Sequence, residues 1–94
     1  MRRKHIHNYL KRCRKECGLS QKEVARILGL ESSSMISRWE KGVSLPETLN
    51  ALKMAAIYQT TVDYVFEDLR LNIQDELSER TAAVLHMSGR RQHV

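Results

Sequence analysis

No apolar run in this 94-residue chain approaches the length of a membrane span, and none resembles the core of a secretory leader. The basic start, MRRKHIHNYLKR, runs directly into more charge. The expectation is a cytoplasmic protein without membrane contact, in which Cys13 and Cys17 stay reduced. Aromatic residues are few: Tyr9, Trp39, Tyr58, Tyr64 and Phe66. Aliphatic side chains must therefore supply most of the core. There is a single proline, no low-complexity segment, no internal repeat and no strand-like alternation of apolar and polar residues. What remains is a small all-α fold. A core of this size stabilises only modestly, so self-association would help.

Charge is present but unevenly placed. Residues 1–45 hold eleven Lys/Arg and four Asp/Glu, a net of +7, whereas residues 46–94 hold five and seven, a net of −2. A basic half on a small protein suits a polyanion, most simply nucleic acid, although it would also serve as a solvated face.

Helical spacing organises the chain. Ile6, Leu10, Cys13 and Cys17 share one helical face, and Gly18 suits the left-handed residue that ends a helix. Ser20, with Glu23 three residues on, reads as a capping box that starts a second helix. Val24, Ala25 and Leu28 line its inner face, and Gly29 stops it after about two turns. A third helix begins among Ser32, Ser33 and Ser34, presents Met35, Ile36 and Trp39 as its apolar positions, and ends at Gly42. Pro46 suits the first turn of a fourth helix, whose apolar pattern is Leu49, Leu52, Ala56 and Ile57. Thr61 can cap a short fifth helix with Val62, Val65 and Phe66 inward. Leu69, Ile73, Leu77 and Val84 then mark one or two further helices, fraying after Ser88.

A short helix, a glycine turn and a second helix with a polar outer face form a helix-turn-helix candidate. The stretches GLSQKEVARILGL, ISRWEKG and LPETLNALKMAAIYQTTVDYVF together resemble the phage-repressor type of helix-turn-helix protein, the Cro and XRE-like regulators. The resemblance runs from about Ile6 to Phe66. It implies a compact five-helix DNA-binding bundle over residues 1–66; residues 67–94, which it does not cover, are read from their apolar spacing as a C-terminal helical extension. It also implies that the third helix, about 32–41, enters the major groove of double-stranded DNA. By position in the motif, Ser33, Ser34 and Arg38 would touch base edges, and Gln21 would anchor the phosphate backbone. Arg14 and Glu40 would form a structural ion pair between helices 1 and 3. There are two departures from the family pattern. Gly29 to Ile36 spans seven residues rather than six, which places one extra residue near Glu31. Gln59 stands where the family often has glycine after helix 4.

The chemistry of these residues fits their positions. Ser32 can cap helix 3, while Ser33 and Ser34 are short enough to let the helix start approach the groove floor. Serine hydroxyls donate or accept and so discriminate poorly; Arg38 can hold a guanine by two hydrogen bonds. Lys11, Arg12, Lys22, Ser37 and Lys41 suit phosphates, which fix position without reading sequence. MRRKH is either an arm onto the DNA or a solvated terminus.

Other chemistries find little support. His5, His7, Cys13 and Cys17 are possible metal ligands, but the two cysteines lie on the face that forms the core and the two histidines point apart on a helix. No metal or cofactor is expected. Scattered carboxylates and the lack of a glycine-rich phosphate loop argue against an enzyme.

The expectation is thus a transcriptional regulator, a repressor acting as a homodimer on an operator. Val62, Phe66, Leu69, Ile73 and Leu77 would pair the subunits, unless this stripe folds back to enlarge its own core. Two alternatives are an antitoxin-like DNA-binding protein whose C-terminal part grips a protein partner, and an interaction module that no longer binds DNA.

Overall fold

The computed structural model describes residues 5–89, and they form six helices and no strand. These are α1 (Leu10–Glu16), α2 (Gln21–Leu28), α3 (Ser34–Glu40), α4 (Thr48–Ile57), α5 (Val62–Val65) and α6 (Glu67–Met87). The all-α class and the repressor-like bundle follow as expected from the sequence. MRRK and residues 90–94, which include part of the basic arm and the tail expected to fray, lie outside the described residues.

Each short helix is bounded by local chemistry. Ser20 and Glu23 form a reciprocal capping box: the Glu23 backbone N–H donates to Ser20 Oγ at 3.0 Å and the Ser20 N–H donates to Glu23 Oε1 at 2.8 Å. Gly29, at φ 75°, takes the left-handed cap that closes α2. The Thr61 hydroxyl accepts from the Tyr64 N–H at 3.1 Å and starts α5. Gly42 is required for a second reason. Its φ is 75°, and a Cβ there would collide with the backbone of Ile6.

The core gathers Leu10, Cys13, Val24, Ala25, Ile36, Trp39, Met54, Tyr58, Val65 and Phe66. Val24 and Ile36 are fully buried, each worth about 1.5–3 kcal/mol of apolar burial. Asn8 fastens the N-terminal segment, donating from Nδ2 to the Trp39 carbonyl at 3.0 Å and accepting at Oδ1 from the Leu10 N–H at 3.0 Å.

Several sequence expectations need correction. Ile6 precedes α1: its N–H donates to the Gly42 carbonyl at 2.9 Å, so the segment runs extended across the end of α3. Cys17 is the exposed C-cap of α1 and does not share the buried face of Cys13. Met35 is exposed on α3. Pro46 sits one residue before the N-cap Glu47, outside the first turn. In α4 the inner face is Met54, Ala55 and Tyr58, while Leu49 and Leu52 stand 62% and 55% exposed and Ala56 also faces out.

Beyond residue 66 the pattern resolves into one helix. At 21 residues, α6 contains no buried residue and is about 31 Å long. Only Leu69 of its stripe packs against the core; Ile73, Leu77 and Val84 are exposed. The stripe does not fold back onto its own bundle. The radius of gyration is accordingly 17.0 Å, against about 12 Å for a compact chain of this length. None of the helices is long and apolar enough to cross a membrane, among the described residues.

Candidate nucleic-acid interface

The helix-turn-helix unit is α2, the turn Gly29–Ser33 and α3. Leu30 anchors the turn, its N–H donating to the Ala25 carbonyl at 2.8 Å and its side chain packing on the core. The additional length of the turn therefore falls in the stretch Glu31–Ser33. Ser33 holds the N-cap position of α3 but makes no side-chain cap bond. Ser32 supplies the contact instead: its Oγ accepts from the Ser34 N–H at 3.3 Å and shares a hydrogen bond with Ser34 Oγ at 2.8 Å.

Ile36 and Trp39 pin α3 from beneath. Ser34 and Arg38 are then exposed, one turn apart on the same side, with Ser33 and Ser37 half-buried beside them. The side chains of Arg38 and Lys41, at the end of this helix, make no hydrogen bond or ion pair among the described residues, and neither does that of Lys22 at the start of α2. Unpartnered cations on a rigid face can meet an external anion without first breaking an internal pair.

Beneath this face lies a buried network. Arg14 holds Glu40 by two hydrogen bonds, Nε to Oε2 at 2.6 Å and Nη2 to Oε1 at 3.2 Å, with side chains only 9% and 3% exposed. Its Nη1 donates to the Leu19 carbonyl at 2.8 Å. The bond to Glu40 raises the pKa of Arg14 further, so the guanidinium stays charged. Gln21 Nε2 also donates to Glu40 Oε1, at 2.9 Å. The network thus ties α1, α2 and α3 together at the base of α3. Gln21 spends one amide hydrogen within the protein, leaving a second N–H for any outside acceptor.

The other residues singled out from sequence are more dispersed. Lys11 and Arg12 are exposed on α1; Arg12 pairs with Glu16 at 3.6 Å and lies 5.9 Å from the centre of the Tyr9 ring. Sequence reasoning passed over Arg26. It stands one turn after Lys22, and both line a groove of about 340 Å³ with Glu31, Ser32 and Ser33. The spacing of two cations on the outer face of α2 was the available signal. The metal candidates do not converge: Cys13 is in the core, Cys17 is exposed, and His7 Nδ1 faces Asp68 Oδ2 at 3.0 Å. Burial raises the Cys13 thiol pKa.

A family model described as helix-turn-helix matches residues 10–65, more than half of the chain. No curated protein and no solved structure gives a significant match. The chain belongs to the helix-turn-helix family of Cro/C1-type, XRE-like DNA-binding regulators.

Proposed function

We propose that this helix-turn-helix protein is a sequence-specific repressor that binds double-stranded DNA as a homodimer in the cytoplasm. The observation that carries the reading is the exposed face of α3, on which Arg38 stands unpartnered over the Arg14–Glu40 network. Ser33, Ser34 and Arg38 meet base edges, and Arg38 does most of the reading. Gln21, Lys22, Ser37 and Lys41 hold phosphates around that contact, joined by Arg26; Lys11 and Arg12 reach the backbone from α1. Repression follows from occupying an operator.

One such unit covers a single half-site, and tight specific binding needs two. The surface for pairing lies on α5 and α6. Phe66 is buried within the bundle and Val62 is half-buried, so Leu69, Ile73 and Leu77 offer most of the contact. Selection of bound duplexes from a random pool tests the reading. Two related half-sites in inverted orientation are expected. Failure to retain any duplex at low salt would instead identify an interaction module. The exposed, acidic α6 also fits the antitoxin-like alternative, which a stoichiometric basic protein copurifying in place of a homodimer would select.

A further inference from the structure

Leu69, Ile73, Glu76, Arg80, Ala83 and Met87 follow one another along α6 at alternating spacings of four and three. This is the seam along which two helices wind together. All but Leu69 are exposed, and Met87 is 84% exposed. The middle of the seam is polar: Arg80 Nη2 donates to Glu76 Oε1 at 3.0 Å. Charge is also sorted along the chain here. Residues 67–76 carry four carboxylates and one arginine, whereas residues 77–87 carry one of each.

We infer that α6 pairs antiparallel with α6 of a second copy, in the register that sets Glu76 of each copy opposite Arg80 of the other. The arrangement rests on the homodimer reading above and assigns it an orientation and a register. In this register Ile73 faces the small Ala83, and Leu69 faces Met87. Leu77 and Val84 flank the seam and widen its apolar border. The acidic first half of each helix lies along the neutral second half of its mate, and the helix dipoles oppose. Parallel pairing would instead set the carboxylate-rich halves side by side and Arg80 against Arg80.

A groove beside the seam points the same way. It has a volume of about 350 Å³ and is lined by Leu45, Pro46, Leu52, Val62, Leu69 and Ile73 among others. It opens at the start of α6, where antiparallel pairing delivers Met87 of the second copy. Parallel pairing leaves that groove uncovered and both Met87 side chains remote from it. The central ion pair would act as a register device. Sliding the helices by one turn would set Arg80 against Ile73 and Glu76 against Glu76, or Glu76 against Ala83 and Arg80 against Arg80.

Disulfide trapping in the full chain tests the arrangement, using Cys17→Ser as the parent so that the buried Cys13 is the only native thiol. Ile73→Cys and Ala83→Cys proteins are oxidised separately and as a mixture. A covalent dimer is expected in the mixture and not from either protein alone. A dimer that cross-links through Ile73→Cys alone as readily as in the mixture is parallel and overturns the inference, as does a dimer that forms no disulfide in any sample. Arg80→Glu should weaken dimerisation on the order of tenfold, the effect of losing two pairs at this exposure, and adding Glu76→Arg should restore it. Light scattering that finds a monomer at high micromolar concentration refutes the homodimer reading itself, which separates that failure from a wrong orientation.

Discussion

Two helices of this protein show opposite ways of being ordered. The second, α2, has eight residues, yet it is capped at both ends and buries Val24 and Ala25 in the core. The long α6 has 21 residues and buries none. Beyond its first turn, where Leu69 packs on the core and Asp68 meets His7, its visible support is local: Arg70 Nη1 donates to Gln74 Oε1 at 3.0 Å, and Arg80 makes the matching contact to Glu76. Such pairs contribute only about 0.2–0.5 kcal/mol each, and most helical stability in proteins comes from packing an amphipathic face. The comparison teaches that length is a poor guide to stability. Tertiary contacts and punctuation fix α2, and with it the position of α3. The exposed α6 is left with a surface suited to a partner.

The largest effect is expected at the base of α3. Glu40→Ala leaves the Arg14 guanidinium buried and charged without its partner and releases Gln21. A loss of about 3–5 kcal/mol is expected in urea unfolding. A wild-type unfolding midpoint would show that the network does not hold the bundle together.

Weaker effects should follow from the helix ends. Ser20→Ala removes the capping box and should cost about 1 kcal/mol. The Glu23 carboxyl is held below its ordinary pKa of 4.5, first by the Ser20 backbone N–H and then by its hydroxyl. A depressed carboxylate stabilises above its ordinary pKa, and that contribution is lost as pH falls through the lowered value. Glu23→Gln should therefore flatten the acid limb of the stability profile below about pH 4.5. Gln59 holds φ at 54°, which costs a side chain about 1–2 kcal/mol relative to glycine. Gln59→Gly should raise the midpoint by up to about 1 kcal/mol, less what the added freedom of the unfolded chain removes. Smallest of all should be the effect of ending the chain after Asn72, which keeps Leu69 on the core. The bundle should lose less than about 1 kcal/mol at concentrations where the full chain is monomeric, and a larger loss would mean that α6 supports the bundle directly.

The same contrast explains what could be read from the sequence. Helix boundaries in the bundle were legible because Ser20–Glu23, Gly29 and Thr61 act through contacts a few residues apart. The inner face of α4 was not. Its ten residues include Leu49, Ala51, Leu52, Met54, Ala55, Ala56 and Ile57, so apolar groups surround it and no single stripe emerges. Only packing selects Met54, Ala55 and Tyr58. Ile6 was misread because its apolar side chain does reach the core, but from an extended segment whose backbone bonds to Gly42. At the candidate site, the positions of Ser33, Ser34, Arg38, Arg14 and Glu40 came from family resemblance. The shared bond from Gln21 to Glu40 and the groove joining Lys22 to Arg26 needed coordinates. Tyr58 carries a further feature invisible in sequence: its hydroxyl is buried without a hydrogen-bond partner among the described residues, and burial followed by the Glu40 charge raises its pKa.

In the proposed complex, α3 reads bases through Arg38 while the cations around it hold the backbone. Fluorescence anisotropy with a selected duplex, its single-base variants and a salt series would test this directly on Arg38→Ala and Lys22→Ala. Arg38→Ala should lose preference at one position in each half-site, by about 1–3 kcal/mol, and bind the other variants in unchanged order. Lys22→Ala should weaken binding to every duplex alike and reduce the salt slope by about one unit for each subunit bound. Equal loss of base preference in both proteins, or none in Arg38→Ala, would contradict the account.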